Sequence, residues 1–385
     1  MAGEIIFMTG ISGLIGMRVL IFALRAGYAV RAQVRSEACA RAVMKAPSIR
    51  ALRVGSRLSF VIVSDLTKAG VLDNAVRGVG FIIHMASPVP KGVTNPSHEE
   101  LHAKYTIPIY EGEMNVLRTA HKLGKSVRRI VVTGTEASIV PWEEFSGDMA
   151  NARKPGAVKQ RRVVDNKSRA PTPTGPFTSD AQAYAAGKVM ALNECEAWVK
   201  QEKPDFDVVH VLPTHVLGRQ ELATSALDLL DTTNRAVVEL LGSRRESFTY
   251  PTQTVHADDV GRLHVAALKP RIPGNCCYIN TSSGPGDRGW QSLLHAVRQE
   301  FPEAIESPEA DDGSHGDEDG QRAVAPKSVM TGEEAVWFDA SETERIFQLK
   351  HQDCKKQVWD VVEQHLELTG KRYWWDSIWG GVYTF

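Results

Sequence analysis

The sequence predicts an α/β fold, a doubly wound parallel sheet with a smaller C-terminal lobe. Three observations support this prediction: short β-branched runs alternate with helical stretches in the first half, a glycine-rich turn follows the first run, and polar segments interrupt the second half. Buried apolar runs separated by helices are typical of parallel sheets covered on both faces. A chain of 385 residues is long enough for two domains.

Six apolar runs are predicted as strands, and the first is followed by a helix that begins near Gly13 and ends at Gly27. The predicted strands are Glu4–Met8, Tyr28–Arg35, Ser59–Val63, Gly80–His84, Arg129–Thr133 and Asp207–Leu212. Near the end of the chain, Val358, Val361, Val362 and Leu366 follow helical spacing up to Gly370. The first strand, turn, helix and second strand together form one βαβ unit.

The composition excludes several classes of protein. Hydrophobic residues make up 43% and charged residues 24%, which is close to average globular usage. Lys and Arg number 45 against 46 Asp and Glu, so the strong field that favours nucleic acid or anionic membranes is absent. We therefore expect neither of these as a partner. The five cysteines form no CxxC pair, which predicts reduced thiols and no metal site.

Apolar stretches give no sign of a targeting or membrane segment. The first apolar run, Ile5 to Met8, is too short for the core of a signal peptide. No uncharged apolar stretch reaches the roughly 18 residues that a membrane helix needs. These observations predict a cytoplasmic protein.

Three segments have biased compositions. Residues 151–169 contain seven Lys or Arg, and we interpret them as a surface loop, with an anion-binding patch as the alternative. Residues 303–320 contain eight acidic residues and are predicted to be a mobile insertion. The tail, Tyr373 to Phe385, holds six aromatic residues, which we expect to dock on the chain itself or on a second copy. The prediction is a monomer or a homodimer.

The glycine turn lies at Thr9 to Gly16, where the first strand meets the first helix. Glycines three residues apart at such a junction let the backbone approach a pyrophosphate, whose charge is favoured at the helix N-terminus. The turn predicts a Rossmann-type dinucleotide site, with an ordinary loop as the alternative. The turn residues assigned to the cofactor are Gly10, Ser12, Gly13, Leu14, Ile15 and Gly16.

The end of the second strand indicates which cofactor binds. An acidic residue there favours NAD, whereas a basic residue favours the 2′-phosphate of NADP. Here Arg35 and Ser36 come before the first acid, Glu37, so the sequence predicts NADP(H). The alternative is that Arg35 only ends a strand in solvent. Asp65 and Leu66, after the third strand, are placed beside the adenine.

Tyr184 and Lys188 are four residues apart, which places both on one face of a helix. A nearby ammonium favours the phenolate and lowers the pKa of a tyrosine, whose ordinary value is about 10. We therefore predict that Tyr184 exchanges a proton with the substrate and that Lys188 both lowers its pKa and holds the nicotinamide ribose. The alternative is an unremarkable surface pair.

Carbonyl reduction also needs a donor to the oxygen on which negative charge develops. Thr135 follows the strand Arg129–Thr133 and is the first candidate, with Ser138 in reserve. The alternative is that these hydroxyls satisfy only the backbone of a turn.

Taken together, the motifs resemble the extended short-chain dehydrogenases/reductases, and within them the dihydroflavonol-4-reductase and fungal carbonyl-reductase group. The resemblance runs from Ile5 to about Leu368 and is carried by TGISGLIG, VRAQVRS, HMASPV, VVTGTEAS, AYAAGK and LPTHVLG. It implies that Thr135 is the catalytic hydroxyl, Tyr184 the proton donor and Lys188 the lysine, and that the pro-S hydride is transferred. It also implies that Ala86, Ser87, Thr133, Pro213 and Thr214 line the cofactor.

The chain departs from the family pattern at three places. Gly134 and Thr135 replace the usual Ser-Ser pair, and the threonine hydroxyl can still donate. Ile109 stands where many members have Asn, which implies a proton relay through water and ribose. Gly187 replaces a small hydroxyl residue before Lys188, and a glycine inside a helix costs about 1 kcal/mol relative to Ala. Either close packing of the backbone explains why a glycine stands at this position, or the glycine has no structural significance.

These observations predict an NADPH-dependent reductase that transfers hydride to the ketone or aldehyde carbonyl of a small organic substrate, aromatic or polyketide-like. We assign residues 1–217 to the NADP-binding domain with a return segment near 251–269, residues 218–250 and 270–370 to the substrate lobe, and 371–385 to the tail. The alternatives are a sugar-nucleotide epimerase, a 3β-hydroxysteroid dehydrogenase-like enzyme, and a regulator that binds NADP without catalysis. Arg35 disfavours the first, and the presence of both Tyr184 and Lys188 disfavours the last.

Overall fold

A computed structural model describes residues 3–92, 94–146, 162–242, 253–282, 289–305 and 336–371. The structure does not describe residues 147–161, which include the first part of the basic stretch. The acidic segment from residue 306 onward and the aromatic tail also lie outside the described residues. Among the described residues, no helix combines the length and the apolar character that crossing a bilayer requires.

The strands carry the fold and are numbered in chain order. They are β1 (Ile5–Thr9), β2 (Ala29–Val34), β3 (Leu58–Ile62), β4 (Phe81–His84), β5 (Arg129–Thr133), β6 (Arg162–Val164), β7 (Asp207–Pro213), β8 (His215–Leu217), β9 (Thr254–His256), β10 (Cys276–Asn280) and β11 (Val336–Phe338). All six strands predicted from the sequence are present, each within one residue of its predicted bounds.

The helices connect and cover the strands. They are α1 (Leu14–Arg25), α2 (Glu37–Lys45), α3 (Pro47–Ala51), α4 (His98–Leu101), α5 (Ile107–Leu123), α6 (Trp142–Phe145), α7 (Asp180–Glu202), α8 (Leu227–Leu230), α9 (Arg235–Leu241), α10 (Ala257–Ala266), α11 (Gly289–Glu300), α12 (Ser341–Phe347) and α13 (Cys354–Leu368). The predicted first helix is α1, which begins after Gly13 and is followed by Gly27 at φ +87°. The helix predicted near the end of the chain is α13.

Seven strands form one parallel sheet in the order β10-β7-β5-β4-β1-β2-β3. The predicted Rossmann-type doubly wound sheet is therefore confirmed. The order reverses at β1, which pairs with β2 on one side and with β4 on the other. In such sheets, ligands bind outside the carboxyl ends of the strands where the order reverses. The residues that follow β1, β2, β4 and β5 therefore define the candidate site.

Five strands were not predicted, namely β6, β8, β9, β10 and β11. Four of them form two small two-stranded sheets, and β6 lies within the stretch that was interpreted as a surface loop. Cys276–Asn280, which the sequence assigns to the substrate lobe, pairs with β7 and forms an edge of the main sheet as β10. Its five residues follow the loop-like Pro273, Gly274 and Asn275, and so short an apolar run is not distinguished from a buried loop by periodicity. The assignment of residues 270–370 to the lobe is wrong for this strand.

Helices cover both faces of the sheet. On one face, α1 and α10 pack against each other, and Leu20, Leu24 and Leu263 belong to that apolar core. On the other face lie α5 and α7, which contribute Met114, Leu117 and Cys195 to a second core. A separate cluster joins α9, α11 and α13. The sheet is thus covered by a layer of helices on each face.

Candidate active site

The glycine turn is defined by close backbone approach. Gly10 has φ +71°, and a Cβ there would lie 2.6 Å from the backbone nitrogen of Ala86. A Cβ at Gly16 would lie 2.1 Å from the carbonyl oxygen of Gly10. Gly13 precedes α1, is exposed, and has no side-chain hydrogen bond that caps the helix. No side chain therefore caps the first N–H groups of α1, and this arrangement fits the pyrophosphate of a dinucleotide.

Hydrogen bonds join the end of β1 to the loop after β4. The Thr9 hydroxyl accepts from the backbone N–H groups of Met85 at 3.1 Å and Ala86 at 3.2 Å, and it lies 2.8 Å from Nδ1 of His84. Since two N–H groups already donate to this oxygen, its own hydrogen points to Nδ1. Burial lowers the pKa of His84 to about 4, which agrees with a neutral ring that accepts this bond. The network fixes the segment that carries Ala86 and Ser87.

Gln33 is a residue of the site that the sequence did not reveal. Its side-chain oxygen accepts from the backbone nitrogen of Gly10 at 3.4 Å, and its amide donates to the carbonyl of Val63 at 2.6 Å. It therefore ties the glycine turn to β2 and to the end of β3. A buried glutamine inside an apolar strand was the available signal, because a buried amide needs partners.

The residues predicted to contact the adenosine part of the cofactor lie at the ends of β2 and β3. Arg35 is exposed and has no ion pair or hydrogen bond among the described residues. Ser36 caps α2 by accepting from the nitrogen of Cys39 at 3.3 Å. Asp65 accepts from the Thr67 hydroxyl at 2.6 Å, and that bond lowers the pKa of its carboxyl.

A cavity of about 230 Å³ lies beside Asp65 at the end of β3. The residues that line it are Ile62, Val63, Ser64, Asp65, Lys68 and Val71. Asn115 of α5 stabilises the chain segment beside this cavity, because its side-chain amide donates to the carbonyls of Leu66 at 2.7 Å and Lys68 at 3.0 Å. Asn115 and Lys68 were not predicted as site residues. Asp65 lines this cavity and Leu66 does not, and the placement of both residues next to a bound base stays a prediction.

Lys188 is anchored by the main chain at the end of β5. Its ammonium donates to the carbonyl of Thr133 at 2.8 Å and is 7% exposed. It lies 5.9 Å from the centroid of the Tyr184 ring, so α7 places both side chains on the same face. Burial lowers the pKa of Lys188, and the carboxylate of Glu113 opposes that change.

Tyr184 does not have the lowered pKa that the sequence predicts. Burial of the phenol raises its pKa, and the negative charge of Glu136 raises it further. Lys188 is not among the causes of this shift, and its ammonium donates to the carbonyl of Thr133. The prediction that Lys188 lowers the pKa of Tyr184 is therefore wrong in this arrangement. Glu136 was not predicted as a site residue. In the sequence, only its position directly after Thr135 could have indicated its role.

The two candidate hydroxyls differ in their surroundings. Thr135 is partly exposed, and its hydroxyl donates to the Glu136 carboxylate at 2.6 Å. Ser138 is 1% exposed, and its hydroxyl accepts from the backbone nitrogen of Thr135 at 3.2 Å. Ser138 thus has the turn-stabilising role that the sequence leaves open as an alternative, while Thr135 is accessible from the site.

The remaining predicted cofactor residues are well fixed. The Thr133 hydroxyl lies 2.7 Å from Nε2 of His264, so it points away from Lys188 and only its carbonyl faces the site. Thr214 follows Pro213 at the end of β7 and donates to the hydroxyl of Thr281 at 2.9 Å. Ser87 donates to the carbonyl of Pro88 at 3.2 Å.

Two of the three positions at which the chain departs from the family pattern, Ile109 and Gly187, lie in contact with each other. A Cβ at Gly187 would lie 3.1 Å from Cδ1 of Ile109 and 3.1 Å from Cα of Thr106. Ile109 is 3% exposed and apolar. The glycine therefore allows α7 to approach the isoleucine closely, which decides between the two explanations that the sequence leaves open for Gly187.

Comparisons with known proteins identify the family of the chain. Residues 6–275 match the model of the NAD dependent epimerase/dehydratase family. The chain is 33% identical over 379 residues to the ketoreductase CTB6 of Cercospora nicotianae, covering 96% of this chain and 97% of that protein. It is 32% identical over 316 residues to the NAD-dependent epimerase/dehydratase ALT6 of Alternaria alternata, covering 78% of this chain and 83% of the relative.

Solved structures share the fold. The yeast methylglyoxal/isovaleraldehyde reductase Gre2 complexed with NADPH superposes with a TM-score of 0.72 at 18% identity, covering 96% of this chain and 100% of that one. Vestitone reductase from alfalfa superposes with a TM-score of 0.65 at 19% identity, covering 96% and 99%.

Proposed function

Because the chain belongs to the NAD dependent epimerase/dehydratase family and is an oxidoreductase of the extended short-chain dehydrogenase/reductase type, we propose that it uses NADPH to reduce the ketone or aldehyde carbonyl of a small organic substrate. The observation that carries the proposal is the anchoring of Lys188 to the carbonyl of Thr133 beside Tyr184. This arrangement lies at the carboxyl end of β5, in the same sheet edge as the glycine turn.

In this proposal, each residue has one task. The nicotinamide cofactor supplies the hydride, and the glycine turn and Lys188 hold it. Thr135 turns its hydrogen from Glu136 to the carbonyl oxygen and so stabilises the negative charge that develops there. Tyr184 then donates the proton to that oxygen. Tyr184, whose pKa is raised, is protonated at neutral pH, as a proton donor must be, but the raised pKa also makes the phenol a weaker acid.

The preference for NADPH rests on charge at the end of β2. Arg35 is exposed and has no carboxylate partner among the described residues, so its guanidinium is available for a phosphate. Charge-assisted bonds from arginine to phosphate are strong and are often bidentate. Lys68 at the neighbouring cavity adds a second positive charge. An acid that would hydrogen-bond the ribose of NAD is absent at this strand end, which disfavours the epimerase alternative.

We assign the substrate to the lobe built from α8, α9, α11 and α13. The apolar cluster of α9, α11 and α13 supplies a rigid wall, and α8 carries Leu227, a large side chain that is 73% exposed. The similar Cercospora protein is named a ketoreductase, and we propose the same class of reaction here, with an aromatic or polyketide-type ketone as the substrate.

The direct test measures oxidation of NADPH and NADH by the purified protein with a panel of aldehydes, α-diketones, flavanonols and polyketide ketones. We expect turnover with NADPH and a clearly higher Km for NADH. The variant Arg35→Ala should lose most of this preference, whereas Arg271→Ala, an exposed arginine next to the opposite edge strand β10, should keep it. Equal use of both cofactors by the wild type would refute the NADPH assignment.

A further inference from the structure

A buried cluster of three different donor groups lies between the sheet and the helices α5 and α7. Glu113 of α5, Cys195 of α7 and His210 of β7 each place one donor atom within 4.8 Å of the others. The three residues are 3%, 1% and 4% exposed. Nε2 of His210 lies 3.1 Å from a carboxylate oxygen of Glu113. The proposed reaction assigns no task to these three side chains, but the carboxylate of Glu113 also opposes the lowering of the pKa of Lys188.

The donor set matches the preferences of a thiophilic divalent cation. Zn²⁺ is bound by cysteine sulfur, histidine nitrogen and carboxylate oxygen, usually with four ligands. Cys277 lies directly opposite His210 in the register of β10 and β7 and is 2% exposed. Residues opposite each other on neighbouring strands point to the same face of a sheet, so a second thiol lies on the face that carries His210, where it donates to Glu196 at 3.9 Å.

A cavity borders the cluster, and one of its three donor groups has no hydrogen bond among the described residues. A cavity of about 440 Å³ borders it, and both Cys195 and His210 line that cavity together with Cys276. Among the described residues, no hydrogen bond is made by the Cys195 thiol. A bond between His210 and Glu113 alone would satisfy those two side chains, but it leaves the buried sulfur that faces the cavity without a role.

We propose that Glu113, Cys195 and His210 form a binding site for a thiophilic divalent cation such as Zn²⁺, with Cys277 or a water from the cavity as the fourth ligand. The cation's two positive charges balance the carboxylate of Glu113 and the thiolate that Cys195 forms by releasing its proton. The sequence predicts no metal site, because its cysteines form no CxxC pair and the three donors come together only through the pairing of distant elements. The site is separate from Tyr184 and Thr135.

The test uses the full-length protein after treatment with a chelator. Co²⁺ is titrated first, because cobalt bound to a thiolate absorbs in the near ultraviolet, and Zn²⁺ is then used to displace it. We expect one equivalent of Co²⁺ to bind with thiolate absorption. Cys195→Ser should abolish that absorption if a water is the fourth ligand and lower it if Cys277 is. It should weaken Zn²⁺ binding by more than about tenfold in either case, since even outer-shell changes cost 10- to 100-fold.

The matched control is Cys354→Ser, which changes another buried thiol, 6% exposed, in the cluster of α13. It should bind both ions like the wild type. Glu113→Gln keeps the shape and a hydrogen-bonding oxygen, and it provides a second variant if Cys195→Ser folds poorly; we expect weaker Zn²⁺ binding there too. Absence of thiolate absorption in the wild type, or equal Zn²⁺ affinity in the wild type and in both cluster variants, would overturn the proposal.

Discussion

The glycine turn and the catalytic end of the site are built in different ways. Backbone contacts define the turn: Gly10 and Gly16 allow β1, α1 and the loop after β4 to meet with no room for a Cβ. Side chains from separate segments define the catalytic end, where Lys188 reaches the carbonyl of Thr133 and Glu136 receives the hydroxyl of Thr135. A site made by the backbone is readable from a local motif, whereas one made by side chains depends on the tertiary structure.

The largest effect should come from breaking the backbone contact of the turn. Gly16→Ala places a Cβ 2.1 Å from the carbonyl oxygen of Gly10, and no side chain can move to relieve the overlap. We expect a loss of about 3 kcal/mol or more in the free energy of unfolding, measured by denaturant titration. In the control Gly13→Ala, the nearest atom would be 3.7 Å away, so its stability should change little while its cofactor affinity falls. Equal stability of the two variants would contradict this account of the turn.

The next effect separates the two hydroxyls of the catalytic end. Thr135→Val should lower kcat by about 10²- to 10³-fold, the usual cost of removing a donor to a developing oxyanion. Ser138→Ala removes an acceptor for the nitrogen of Thr135, and it should cost about 1 kcal/mol of stability with a much smaller loss of activity. Steady-state kinetics on one good substrate rank the two variants. A larger loss of kcat in Ser138→Ala would reverse the assignment.

The smallest effect concerns the charge of Glu136. Its carboxylate raises the pKa of Tyr184, and reduction needs the protonated phenol, so activity falls as the pH rises through that pKa. Glu136→Gln removes the charge and lowers this pKa. The alkaline limb of the kcat profile should therefore move to lower pH, by up to about one unit. Glu143→Gln, at an exposed neighbouring acid, serves as the control. A shift to higher pH, or the same profile in both variants, would exclude this role for Glu136.

The same contrast explains what the sequence predicts well. The six predicted strands and the first helix follow from buried runs and from the glycine turn, all of them local signals. The short strand β10 was missed because its pairing with β7 is a long-range contact. Gln33 and Glu136 were missed because only the folded chain brings them next to Gly10 and Tyr184.

The sequence predicted the wrong direction for the pKa shift of Tyr184 for a related reason. Spacing along a helix places Lys188 near the phenol, but it does not reveal that the ammonium donates to the carbonyl of Thr133. The role of Gly187 was equally hidden, since it depends on the contact between α7 and Ile109. Sequence spacing thus identifies which groups share a face, and the tertiary structure decides which partner each group takes.

The central claim is that Tyr184 gives its proton to a carbonyl reduced by NADPH. The most direct measurement follows NADPH oxidation at 340 nm with the best ketone of the panel, using wild type and Tyr184→Phe side by side, with cofactor affinity measured by titration. We predict that kcat falls by about 10²- to 10⁴-fold in the variant while NADPH affinity stays within about twofold. A variant that retains most of the wild-type kcat would contradict the account.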